Sequence, residues 1–191
     1  MIIFANNMQQ DFLKSKEGKV LIATSMGSGK SYALHLKVLE LLEEDNFVGF
    51  CRRTYPQVSS SYYEFKDKFN KYKNLRFSDK SMIVEHKKTK SKIKFVTQES
   101  CYGFETVIID CINHFQSQLL NHEYLTSLKK LYACCNVCDF DYKVYPKLFD
   151  KIVTGYGICD ELKDSNPNYE KYINNLSPED KARLLMKEVS L

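Results

Sequence analysis

The sequence contains no apolar run long enough to cross a bilayer. Stretches such as residues 106–109 are a fraction of the roughly 20 residues that a membrane helix needs. The first residues, MIIFANNMQQDF, carry neither a basic start nor a small-residue cleavage site, so they do not read as a secretion signal. Internal repeats, tracts of biased composition and any linker long enough to divide the chain are missing too, which sets aside repeat arrays, collagen and disorder. Arginine is scarce: Arg52, Arg53, Arg76 and Arg183 are the only four among 28 basic residues. Planar, bidentate phosphate chemistry must therefore come from a short list. The chain also has little excess charge of one sign. Its 28 Lys and Arg against 24 Asp and Glu leave +4, too little to establish a nucleic-acid partner.

What is present is enough for one soluble, non-secreted domain of ordinary size spanning 1–191, since the 191 residues are 43% apolar and 13% aromatic. The seven cysteines (Cys51, Cys101, Cys111, Cys134, Cys135, Cys138 and Cys159) are odd in number. Several fall in strand-like segments, as expected of free buried thiols in a reducing compartment. Cys134, Cys135 and Cys138 invite a zinc hypothesis, since Cys135-x-x-Cys138 has ligand spacing, but no second CxxC or HxxxH follows, so they read as structural.

Residues 19–24 (KVLIAT) form a short β-branched run that stops at a glycine-rich turn, and from Lys30 the positions Ala33, Leu34, Val38, Leu41 and Leu42 recur at helical spacing. Residues 47–51 (FVGFC) then read as a second buried strand and residues 59–72 as a helix. This β-α-β-α order predicts an α/β fold with a mainly parallel central sheet. Residues 82–85 and 93–97 flank a polar stretch and predict an inserted antiparallel hairpin, lysine-rich from Lys87 to Lys94. A third core strand is expected at 106–110 (TVIID), a helix at 116–129, further strands at 131–135 and 152–156, and closing helices from about 165 to 191, one of them N-capped by Ser177 with Pro178 behind it. His114 and His122 have no partner acid at a telling distance and read as structural.

The strongest motif is Thr24-Ser-Met-Gly-Ser-Gly-Lys-Ser31, a P-loop with Thr24 in place of its first glycine. In such a loop Gly27, Ser28 and Gly29 offer backbone N–H groups to phosphate, Lys30 reaches the β/γ oxygens, and Ser31 binds Mg²⁺. Asp110, ending TVIID, stands where the second magnesium ligand belongs. The place after it, where a Glu would polarise the attacking water, holds Cys111, a poor base at neutral pH. Gln9 precedes the loop at a distance suited to reading an adenine edge. Arg52 and Arg53 end the second strand at the edge where open α/β sheets bind ligands, so either could touch phosphate or merely pair with an acid.

The order of these pieces resembles the ATPase half of the large terminase subunit, the motor that packages DNA into tailed-phage heads. Gln9-x-x-Phe12, SMGSGKS, CRRTYPQVSSSYYEF, KIKFVT, VIIDCINHF, LYACCN and the tail DSNPNYEKYINNLSPEDKARLLMKEVSL are similar, in that order, to the motifs of that family over almost the whole chain. The resemblance implies a P-loop NTPase that uses ATP and Mg²⁺, with Lys30, Asp110, Arg52 and Arg53 in catalysis and Asn136 coupling nucleotide state to movement. It implies double-stranded DNA, held weakly and without sequence preference, as a partner, together with portal and small terminase proteins. It further implies a homo-oligomer at work in the host cytoplasm, encoded by a phage or prophage. Three departures stand out. Met26 replaces a commonly basic residue, Cys111 replaces the catalytic Glu, and the RNase H-like nuclease is not expected within these 191 residues, which leaves a separately encoded nuclease subunit open as a further partner. Two alternatives stay open: a weak or inactive pseudo-ATPase or truncated terminase remnant, and a fragment of a helicase-like translocase, whose Asp-Glu-Ala-Asp-like run is missing.

Overall fold

The computed structural model describes residues 7–24, 27–44, 47–112, 122–136 and 145–154, and every structural statement refers to these. Along the chain run α1 (Asn7–Lys14), β1 (Lys19–Thr24), α2 (Lys30–Glu43), β2 (Phe47–Arg52), α3 (Tyr55–Phe69), β3 (Leu75–Ser78), β4 (Ile83–His86), β5 (Lys92–Thr97), β6 (Thr106–Ile109), α4 (His122–Ser127), β7 (Lys130–Asn136), α5 (Tyr145–Leu148) and β8 (Lys151–Thr154). The strands form one sheet of eight in the order β3-β4-β5-β2-β6-β7-β1-β8. From β5 to β8 all neighbours are parallel, as expected of strands that are apolar on both faces.

The inserted hairpin, β4 and β5, is antiparallel as expected. β5 pairs in parallel with β2 along its whole length, and β4 and β3 add antiparallel strands beyond it, so the hairpin is an extension of the main sheet. Because Lys92 lies opposite Phe47 at the start of β2, the lysine-rich β4–β5 turn sits at the end of the sheet away from Arg52. α3 begins four residues earlier than its apolar stripe implies. Thr54 is its N-cap, its N–H donating to Gln57 Oε1 at 3.2 Å, and Pro56 fits the first turn, where no N–H is needed. Of the expected helix at 116–129, only α4 lies among the described residues. The closing helices at 165–191, Met26, His114 and Cys138 lie outside them.

Strand alternation divides the core into two layers. Val20, Ile22, Phe50, Ile108, Tyr132 and Cys134 face α1, α2 and α3, whereas Leu21, Ala23, Cys51, Val107, Ile109, Ala133 and Cys135 face α4 and α5. Each large apolar side chain buried in these layers contributes about 1.5–3 kcal/mol. Lys37 of α2 crosses the first layer at 1% exposure. Its ammonium lies 4.8 Å from the Tyr132 ring centroid and 5.8 Å from that of Phe12, and it donates to both Glu40 carboxylate oxygens at 2.9 Å. One cation thereby ties α1, α2 and β7 together.

His35 is the polar exception in the same layer. It packs 5.6 Å from Phe50 and 5.5 Å from Phe65, ring centroid to centroid, and neither ring nitrogen has a hydrogen-bond partner. Burial, reinforced by the charge of Lys68, pulls its pKa from the usual 6.5 down to about 4. The fold therefore holds a neutral imidazole, and the unfolded chain binds the extra proton between those two values. Stability from this group is complete above its unfolded pKa and is lost as the pH falls towards its folded one. Wild-type stability in urea should drop by about 2 kcal/mol between neutral pH and about pH 5 on account of His35. His35→Leu should lack this share of the pH dependence, and equal pH profiles for the two proteins would refute the assignment.

Candidate functional site

The site is built where β1 hands over to α2. Gly27 and Gly29 both take left-handed backbone conformations, with φ of 80° and 82°, which favour residues without a Cβ. Thr24 is fully buried, and its hydroxyl donates to Ser28 Oγ at 2.5 Å. The threonine in place of the first glycine thus acts as an internal staple across the base of the loop. Gln9 of α1, 5% exposed, donates from Nε2 to the Gly29 carbonyl at 3.1 Å. That same carbonyl accepts the Ala33 N–H at 3.0 Å, so Gln9 braces the loop at the first turn of α2. Lys30 follows, its ammonium folded back to donate to the Thr24 carbonyl at 3.3 Å. Burial lowers the Lys30 pKa, while Cys134, Cys111, Cys135 and Asp110 work against that loss of charge.

Opposite the loop lies Asp110, 2% exposed. β6 pairs with β7 through Ile109 and Ala133, so one step further Asp110 comes beside Cys134 on the α2 side of the sheet. The carboxylate accepts a hydrogen bond from Ser31 Oγ at 3.1 Å and one from Cys134 Sγ at 3.1 Å, both on Oδ1. On Oδ2 it forms an ion pair with the Arg52 guanidinium. Its own N–H donates to the Cys51 carbonyl at 3.2 Å. Cys111 then turns into the left-handed region with φ of 65°, which aims its N–H at Cys134 Sγ, 3.3 Å away. The hydrogen bond between the two thiols, reinforced by burial, pushes Cys134 well above the usual thiol range; the same bond draws Cys111 below it.

Nearly all of the sequence-derived residues meet here. Gln9, Thr24, Gly27, Ser28, Gly29, Lys30 and Ser31 form the loop side, and Asp110 and Arg52 the strand-end side. Asn136 ends β7 in register with Thr24, at the same edge. Arg53 does not join them, being exposed beyond β2. The acid also stands further away laterally than a neighbouring strand, because β7 separates β1 from β6 and Ser31 reaches across it. Cys134 was not among the expected site residues. Its signal was parity: counted along β7, it falls on the same face as Tyr132 and hence as Asp110.

A strand, a left-handed glycine loop and a helix whose first hydroxyl meets a strand-end acid, all on a mostly parallel sheet, define a mixed α/β fold of the P-loop ATPase kind. Neither a known protein family nor a curated protein matches the sequence. Among solved structures, the HK97 bacteriophage large terminase is similar at 12% identity and a TM-score of 0.67, over 96% of this chain and 50% of that one. The large terminase ATPase domain of Thermus phage P74-26 is similar at 10% identity and a TM-score of 0.64, over 95% of this chain and 92% of that domain. The large terminase of a thermophilic bacteriophage, in complex with ATP-gamma-S, matches at 12% identity and a TM-score of 0.64, over 90% of this chain and 49% of that one. The fold is that of these ATPase domains, and the chain spans about half the length of the HK97 protein.

The loop's geometry can be tested at Gly29, where an added Cβ would sit 2.5 Å from Gln9 Nε2 in a backbone conformation that costs an L-residue roughly 1–2 kcal/mol. Gly29→Ala should lower the stability measured in denaturant by more than that conformational cost, and Gln9→Ala alone by about 1 kcal/mol for the lost hydrogen bond. The double variant should be more stable than the sum of the two effects predicts, because removing the amide relieves the clash. Strict additivity would show that Gln9 does not press on the loop.

Proposed function

We propose that this chain is the ATP-binding module of a viral DNA-packaging motor, the ATPase part of a large terminase, coupling ATP binding and hydrolysis to DNA translocation. The observation that carries the reading is the 3.1 Å contact between Ser31 Oγ and Asp110 Oδ1 at the mouth of the loop. A hydroxyl on the first turn of the helix and a buried strand-end carboxylate are the two protein oxygens that a nucleotide-bound magnesium needs on this architecture. On this reading Gly27, Ser28 and Gly29 present N–H groups to the β-phosphate, Lys30 leaves the Thr24 carbonyl for the β/γ oxygens, and Ser31 with Asp110 holds Mg²⁺. When bound, the metal neutralises charge on the phosphates. Arg52 holds the far oxygen of Asp110 and so positions the carboxylate, whereas Arg53, exposed beyond β2, takes no part in the site. Gln9 reads the base and, through its bond to Gly29, passes that contact to the loop; Asn136, beside Thr24, couples the nucleotide to β7. The likeness in fold to the P74-26 ATPase domain and to the thermophilic phage terminase that holds ATP-gamma-S supports this assignment.

One observation favours a second reading, a nucleotide-binding pseudo-ATPase: Cys111 occupies the place of the general base. Removing such a base costs about 10² to 10⁴ in rate, so turnover in the isolated chain should be slow on either reading. DNA contact in the motor is electrostatic and weak per copy. The Lys87–Lys94 turn, at the end of the sheet away from the loop, supplies one patch, and several copies around a duplex in the host cytoplasm would multiply it. Portal and small terminase proteins are the partners this role requires.

Calorimetry tests the assignment. Wild type should bind ATP with Mg²⁺, Lys30→Ala should not, and Cys111→Glu should bind as wild type does while hydrolysing ATP about 10²-fold faster or more. Equal ATP affinity in wild type and Lys30→Ala would remove the basis of the reading. A Cys111→Glu variant that binds ATP without any gain in turnover would favour the pseudo-ATPase.

A further inference from the structure

The thiols beside Asp110 have no part in the ATP-binding reading, yet they form a cluster with the chemistry of a metal site. Asp110, Cys111 and Cys134 each offer one ligand atom, and these three atoms lie within 4.8 Å of one another. Ligands of a tetrahedral zinc ion, at about 2.3 Å for sulfur and about 2.0–2.2 Å for oxygen, stand roughly 3.3–3.8 Å apart, so closure takes only small side-chain rotations.

Three features of the surroundings suit bound thiolates. The Cys111 N–H already points at Cys134 Sγ from 3.3 Å, an outer-shell hydrogen bond of the kind that orients and stabilises a sulfur ligand. The Cys134 S–H donates to Asp110 Oδ1 at 3.1 Å, and that shared proton is the one a metal ion would replace. Arg52 occupies Oδ2, which leaves Oδ1 turned towards the sulfurs, with Ser31 Oγ 3.1 Å from it as a fourth donor atom. Two thiolates, one carboxylate and a divalent ion sum to a single negative charge, which Lys30 and Arg52 offset. Cys111 is also held in a left-handed conformation that few non-glycine residues adopt, and this keeps its side chain at the cluster. Two sulfurs and one carboxylate are a poor set for magnesium, which demands oxygen, and a good one for a softer ion.

We propose that Asp110, Cys111 and Cys134 form a binding site for one thiophilic divalent cation of the zinc class at the ends of β6 and β7. The site shares Asp110 and Ser31 with the magnesium position of the ATP-binding reading, so the two ions would compete there, but binding of a thiophilic ion in the absence of nucleotide does not rest on that reading. Cys135 has no share in it, since its side chain faces the opposite layer of the core.

The test is titration of the reduced chain with Co²⁺ and Cd²⁺, without nucleotide, read by thiolate-to-metal charge-transfer absorption. One equivalent should bind with the intensity of two sulfur ligands. Cys111→Ser and Cys134→Ser should each weaken binding about ten-fold or more and halve that intensity, because loss of a direct ligand costs at least as much as loss of an outer-shell partner. A Cys138→Ser/Cys159→Ser variant should bind as wild type does. Circular dichroism checks the fold of each variant; should Cys134→Ser unfold, the half-exposed Cys111 gives the decisive result. No charge-transfer band in wild type would overturn the proposal. So would full binding by Cys111→Ser, or loss of binding in the Cys138/Cys159 variant.

Discussion

A buried carboxylate must be compensated, and Asp110 is compensated by three elements at once. Arg52 comes from β2, Ser31 from the first turn of α2, and Cys134 from β7. Leaving such a charge unpaired would cost several kcal/mol, more than any one apolar side chain in the core returns. The relative positions of β2, β6, β7 and α2 at this edge of the sheet are therefore coupled through one side chain. The loop is coupled in turn, because Gly29 is the N-cap of α2, and Gln9 and Thr24 fix the turn that leads into it.

The parallel register makes that convergence possible. The parallel strands deliver their C-terminal ends to the same edge: Thr24, Arg52, Asp110 and Asn136 finish there, and the lysine-rich turn is carried to the other. Charge is thus separated along the sheet. The edge at the glycine loop concentrates a few fixed, partly buried groups, whereas the opposite end presents solvated lysines whose effect on a polyanion is additive and screened by salt.

Much of this was legible in the sequence. β1, β2, β6 and β7 are short β-branched or apolar runs, and fully buried parallel strands leave that signature. α2 carried an apolar stripe behind a glycine loop. The start of α3 was read late because the stripe begins at Val58, whereas the helix is set by Thr54 and Pro56. β3 was missed because Leu75 is its only buried residue. α1 was missed although Phe12, fully buried, is its anchor. The lateral order of strands, with β7 between the loop and the acid, cannot be read from a linear pattern, since chain order says nothing of which parallel strands lie side by side. The choice between Arg52 and Arg53 could have been read: Phe50 faces the α2 layer, so alternation puts Arg52 on the side of Asp110 and Arg53 on the other. The same counting would have singled out Cys134 over Cys135.

If Asp110 is the pivot on which both the metal and the loop depend, the magnesium dependence of ATP binding reports on it directly. Calorimetric ATP affinities with and without Mg²⁺ should differ in the wild type, and Asp110→Asn, folded by circular dichroism, should lose most of that difference while Lys30 still holds phosphate. A magnesium-induced gain that persists undiminished in Asp110→Asn would contradict the placement of the metal between Ser31 and Asp110.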